Sequence, residues 1–121
     1  EKTGIRVEFV AAGIEKLTPG FDFQINLYRM IQEGLNNIHK HAHAQRAAVK
    51  LTAVHPHVLL RIEDDGCGFD VEKRAREIDS EKRMGLRSLK ERADLLGGVM
   101  VVTSRVGHGT RILIKLPCRE G

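Results

Sequence analysis

Apolar and polar positions alternate at the start of the chain, where Ile5, Val7 and Phe9 are separated by Arg6 and Glu8. A period of two predicts a strand with one buried face. Thr18-Pro19-Gly20 then breaks the chain, and Asp22 suits the N-cap of a long helix running to about His43. Within that helix Leu27, Ile31, Leu35, Ile38 and Ala42 recur at helical spacing. At about 100° per residue, setting Glu33 at zero places Asn37 and Lys40 within about 40° of it and those apolar residues on the opposite side. One face is expected to build the core, the other to meet something polar.

Further along, Ala47, Val49, Leu51 and Ala53 alternate with Ala48, Lys50 and Thr52, and after His55-Pro56 the same period returns in Val58, Leu60 and Ile62. This predicts a hairpin. Its second strand runs into Asp64-Asp65-Gly66-Cys67-Gly68-Phe69-Asp70, a tight loop whose glycines let backbone approach a ligand. From Asp70 to Met84 both charge signs are densely mixed, and only Val71, Ala75 and Ile78 give weak helical spacing, so a solvated, mobile segment is expected. Gly85 precedes a helix striped by Leu86, Leu89, Ala93 and Leu96 and stopped by Gly97-Gly98. Val99 to Ser104 reads as a strand, Val106 to Gly109 as a turn, and Thr110, Ile112, Ile114 and Leu116 as a last strand ended by Pro117. Helices on one face of a mixed, mostly antiparallel sheet satisfy this order, which makes the fold an α/β two-layer sandwich.

Composition narrows the function classes. The 121 residues fit a single domain spanning 1–121, and 41% hydrophobic with 30% charged residues excludes a disordered or fibrous chain. Aromatic residues make up only 4%, so aliphatic packing must carry the core. Twenty Lys and Arg against sixteen Asp and Glu leave +4, a surplus suited to an anionic ligand or an acidic partner. Nucleic acid is disfavoured, because the cations between Asp70 and Lys90 are interleaved with carboxylates and lack aromatic neighbours. Cys67 and Cys118 form no C-x-x-C pair, which suits a reducing, cytoplasmic compartment. No apolar run approaches the roughly 18 residues of a spanning helix, so no membrane contact is expected of this domain. The chain opens at Glu1, almost at a strand, as a piece excised from a longer protein would, and a membrane anchor of such a parent would lie outside it. His39, His41 and His43 do not make a metal site: helical spacing sends His41 away from the other two, and no third ligand stands nearby.

Four boxes stand in fixed order: Glu33-x-x-x-Asn37, Asp64-x-Gly66-x-Gly68, Gly85-Leu86, and Gly107-x-Gly109-Thr110. Together they resemble the ATP-binding domain shared by sensor histidine kinases, gyrase, Hsp90 and MutL, the Bergerat-type ATP-binding fold. The runs Gln32 to Ala42 and Gly85 to Gly98 are similar to those of histidine kinases that partner NarL-type response regulators. The resemblance implies ATP and Mg²⁺ as ligands, with Asn37 holding the metal through its side-chain oxygen. It implies that Glu33 acts at the γ-phosphate as the catalytic carboxylate, with Lys40 and His41 near the phosphates. Asp64 would accept from the exocyclic amine of adenine, with Gly66 and Gly68 passing under the base. Thr110 would support that contact, and Gly107 and Gly109 would clear space for it. Gly85 and Leu86 would put a helix N-terminus beside the phosphates, and a lid at about 69–84 would close over them.

The chain departs from the family in Arg83 and Ser88, where glycines are usual. The dimerisation and phospho-acceptor helices are expected upstream of this chain, and a NarL-type response regulator downstream of the reaction. Two other readings stay open: a non-catalytic nucleotide-binding regulatory module, and an anti-sigma-factor-type serine kinase of the same fold.

Overall fold

The structure is a computed structural model and describes residues 5–14, 20–68 and 81–118. Five strands and two helices follow in order: β1 (Arg6–Ala12), α1 (Phe21–Asn37), a π-helical segment (Ile38–Ala42), β2 (Arg46–Val54), β3 (His57–Asp64), α2 (Glu81–Leu95), β4 (Val99–Ser104) and β5 (Thr110–Pro117). They form one sheet in the order β1-β2-β3-β5-β4. Only β1 and β2 run parallel; the other neighbours are antiparallel. The mixed, mostly antiparallel sheet read from the alternation is the one observed. Of the expected lid at about 69–84, residues 69–80 lie outside the described residues and the last four positions form the start of α2.

Period-2 alternation fixes which face is covered. Ala47, Val49 and Leu51 of β2, Val58, Leu60 and Ile62 of β3, and Ile112, Ile114 and Leu116 of β5 are all buried beneath the helices. Leu89 and Ala93 of α2 and Met30 and Ile38 from the first helical stretch close the core. Packing by aliphatic side chains is what the low aromatic content requires.

β1 differs from expectation. Ile5 is buried, but Val7 and Phe9 are 40% and 55% exposed, so the face expected to be covered is open among the described residues. The reason is topological: α1 packs over β3 and α2 over β4 and β5, toward the far side of the sheet, while β1 forms the opposite edge.

The first helix also differs in rotation. Its deepest residues are Phe23, Met30 and Gly34, with Leu27, Ile31 and Leu35 only partly buried. At about 100° per residue this turns the buried face by about 80° toward Glu33 and Asn37. Gly34 causes the shift, since a Cβ there would run into Cδ1 of Ile62 and its absence lets the helix backbone settle on β3. Glu33 and Asn37 therefore stand half-buried at the margin of the core rather than opposite it.

Candidate nucleotide site

β3 delivers Asp64 to one end of the sheet, and antiparallel register places Thr110, the first residue of β5, directly beside it. Ser104 of β4 completes the row as the partner of Thr110. The Ser104 and Thr110 hydroxyls lie 2.8 Å apart, and Ser104 Oγ also donates to the Gly109 carbonyl at 3.0 Å. Loss of this clamp through Ser104→Ala is expected to cost about 1 kcal/mol, read as a lower melting temperature.

The two glycine loops interlock at this end. The Gly107 N–H donates to the Cys67 carbonyl at 2.6 Å. Gly68 and Gly109 have φ of +62° and +79°, the left-handed region that β-carbons disfavour. A Cβ on Gly68 would strike the Arg105 carbonyl, and one on Gly109 the Asp64 carbonyl. Glycine at both positions thus allows the loop after β3 and the turn before β5 to share one backbone layer.

The adjacent carboxylates divide their tasks. Asp64 Oδ1 accepts from the Gly66 N–H at 2.8 Å. Burial pushes the Asp64 carboxyl above its usual range, the Gly66 N–H opposes this, the neighbouring Asp65 charge adds to it, and the Thr110 N–H opposes it again. Asp65 Oδ1 instead accepts from the backbone N–H groups of Arg46 and Gln45, both at 2.9 Å, and those donors hold its carboxyl below the ordinary range. Sequence reasoning missed this second role, which pins the start of β2, because nothing in an Asp-Asp pair says which carboxylate folds back. Asp65→Ala is expected to lower the melting temperature by roughly 4 °C. A depressed folded pKa gives stability that is present above the unfolded value and lost as pH falls through the folded one, so the wild-type advantage over Asp65→Ala should vanish in acid.

The other half of the predicted set comes from α1. Glu33 is half-buried, and Asn37, its last residue, has a buried Nδ2 with no hydrogen-bond partner. α1 meets β3 at Ile62, two positions before Asp64, so the Gly34 contact links this group to the loop cluster. An α-helix to His43 was expected, but the backbone widens to π geometry from Ile38, and His43 ends it in a left-handed conformation with φ 52°. Lys40 and His41 lie on that wider segment; Lys40 is exposed, and the His41 side chain lies outside the described residues. Single π turns recur at functional sites.

The Gly85-Leu86 box is placed differently from expectation. α2 begins at Glu81, so Gly85 and Leu86 lie in its second turn, not at its N-terminus. Glu81, Lys82, Arg83 and Met84 are all good helix formers, and nothing among them stops the helix from extending past Gly85. The far end matches expectation: Gly97 has φ +75°, and the Gly98 N–H donates to the Ala93 carbonyl at 2.8 Å. Arg92 ties the two helices through Nη1 to Asn26 Oδ1 at 3.2 Å.

The sequence family described as histidine kinase-, DNA gyrase B-, and HSP90-like ATPase matches residues 23–120. This chain belongs to that family. Among curated relatives it is 41% identical over 103 residues to the signal transduction histidine-protein kinase/phosphatase DegS of Bacillus subtilis, covering 85% of this chain and 26% of that protein. It is 36% identical over 117 residues to the sensor histidine kinase YhcY of Bacillus subtilis, covering 97% and 29%. The chain thus spans between a quarter and a third of the length of these relatives. The histidine kinase AdeS of Acinetobacter baumannii shares the fold, with a TM-score of 0.73 at 17% identity over 98% of this chain and 56% of that one. Membership makes this an ATP-binding domain. Among the described residues no helix is long and apolar enough to cross a membrane.

Proposed function

We propose that this domain is the catalytic part of a histidine kinase, binding Mg-ATP between α1 and the loop cluster and donating the γ-phosphoryl group to a histidine on dimerisation helices outside this chain. The observation that carries the reading is Asp64, a half-buried carboxylate fixed by the Gly66 N–H and held in register with Thr110. Oδ1 accepts from the Gly66 N–H, and a carboxylate, with about four lone-pair sites on its two oxygens, keeps acceptor capacity for a ligand donor. The exocyclic amine of adenine is such a donor, whereas guanine presents a carbonyl oxygen there.

The donor set fits a hard cation as well. Asn37 brings a side-chain amide to the margin of the core, and turning that amide by half a turn exchanges the unpartnered Nδ2 for Oδ1. Magnesium held there would neutralise charge on the phosphate oxygens. Glu33, one helical turn earlier, would position the attacking group, and Lys40 and His41 would add charge near the phosphates. Gly85 and Leu86 would address the phosphates from within α2, since the helix starts a turn earlier. Positioning and charge neutralisation are the main contributions a protein makes to phosphoryl transfer. The relay would continue to an aspartate of a NarL-type response regulator in the cytoplasm.

The test is transfer from labelled ATP to a protein carrying this chain behind its own acceptor helices. Acid-labile phosphate on histidine is expected. Phosphoserine would indicate a serine kinase, and Mg-dependent ATP binding without transfer would indicate a regulatory module.

A further inference from the structure

The face of the sheet turned away from the helices has no covering layer among the described residues, and it is strongly basic. By strand alternation Arg6, Arg46, Lys50, Arg61, Arg111 and Lys115 project from it, against only Glu8 and Glu63. The difference is +4, equal to the surplus of the whole chain. Cross-strand register makes the arrangement costly. Arg6 stands directly opposite Arg46, and Lys50 directly opposite Arg61. Like charges placed opposite one another destabilise a sheet, and oppositely charged pairs would be available from the same strands.

Glu63 sits between Arg111 Nε at 3.4 Å and Arg61 Nη1 at 3.7 Å. This orients two guanidinium groups while leaving most of their donors unused. Two concavities meet at Glu63. One, of about 570 Å³, is lined in part by Arg6, Glu8 and Arg46. The other, of about 280 Å³, is lined in part by Arg105, His108 and Arg111 and, on its inner side, by Asp64, Ser104 and Thr110 of the loop cluster. They make a trough across the end of this face with cations on both sides. Beside it Val101 and Leu113 form an apolar cross-strand pair, with Val101 53% exposed.

We propose that this open face is a docking surface for an acidic, partly apolar protein segment that crosses the strands along the Val10–Lys50–Arg61–Leu113–Val101 row, its carboxylates on Lys50 and Arg61 and its apolar side chains on Leu113 and Val101. Oriented guanidinium forks match carboxylates bidentately. Among the described residues the face carries no Phe, Tyr or Trp to anchor in a lipid interface or stack on bases, which favours a protein as the occupant. The Lys50–Arg61 row lies on the opposite side of the sheet from α1 and α2 and does not depend on the nucleotide reading, whereas the trough at its end shares Asp64 and Thr110 with the loop cluster.

The probe is a fluorescent peptide alternating glutamate and leucine, titrated at low salt against the 121-residue chain and the double variant Lys50→Glu/Arg61→Glu. The comparison variant Arg29→Glu/Lys90→Glu makes the same charge change on exposed positions of the helix layer. The chain is expected to bind the peptide, the open-face variant roughly tenfold more weakly, and the helix-layer variant as wild type. Lys50→Glu alone should weaken binding yet melt at or above the wild-type temperature, because it removes a like-charge pair; this separates docking from folding. No peptide binding, or equal losses in both double variants, would overturn the proposal. So would binding only to vesicles of phosphatidylglycerol and phosphatidylcholine, or only to duplex DNA.

Discussion

Replacing Asn37 by alanine is expected to abolish the magnesium-dependent part of ATP affinity and to slow phosphoryl transfer by a factor on the order of 10² to 10³, the usual consequence of removing one electrostatic partner of a transferring group. The same substitution should leave the fold intact. Asn37 Nδ2 is buried without a partner, and such a donor costs about 1–3 kcal/mol, so its removal should hold or raise the melting temperature. Ordinary structural asparagines behave the other way, losing stability with their hydrogen bonds. ATP affinity measured with and without magnesium, beside a melting curve, separates the two cases. Asn37→Asp keeps an oxygen ligand at the same place and should retain part of the magnesium effect. If the alanine variant keeps the full magnesium increment, Asn37 does not hold the metal, whatever happens to its stability.

How much of this site could be read beforehand varied with the physics of each part. Alternation of Val49, Leu51, Leu60 and Ile62 with polar neighbours is a local signal, and it placed the central strands and the Asp64 loop correctly. The Gly97-Gly98 stop is equally local, because a left-handed cap is written in the residue that adopts it. Burial of β1 was misjudged because alternation in Val7 and Phe9 says which side chains share a face, not whether a helix reaches that face. The rotation of α1 was misjudged for a related reason. A helical wheel ranks Gly34 as neutral, whereas in three dimensions its missing Cβ admits Ile62 and turns Asn37 toward the core. That close approach depends on Ile62, 28 residues further along, so no short window of sequence around Gly34 contains it. Ser104 could have been found by counting back from Thr110 across the turn, since register pairs them once the hairpin is assumed.

Substituting Asp64 by asparagine should weaken ATP binding about 100-fold while reversing part of the base preference. Oδ1 of Asp64 is committed to the Gly66 N–H. An asparagine that keeps this bond must turn its amide NH₂ toward the position where adenine also presents an amine, so two donors confront each other. Guanine, with a carbonyl oxygen at that position, would accept from the new NH₂, and the ratio of ATP to GTP affinity should fall accordingly. Stability should move in the opposite direction from binding. Burial raises the Asp64 carboxyl above its ordinary value, so the folded chain holds that proton more tightly than the unfolded chain. By linkage, this favourable contribution is fully present below the unfolded value of 3.8 and is lost as pH rises through the raised folded value. At neutral pH the ionised carboxylate therefore weakens the fold, and Asp64→Asn should melt at or above wild type there, with the advantage disappearing in acid. Adenosine, which has no phosphate to titrate, gives the complementary readout. Its affinity for the wild type should fall further than its affinity for the asparagine variant as pH drops through the raised Asp64 value, because the protonated carboxyl no longer offers a full acceptor, whereas protonation of the adenine ring acts on both alike. A wild-type profile as flat as the variant's would remove Asp64 from the adenine contact and leave its burial to be explained by the Gly68 and Gly109 interlock alone.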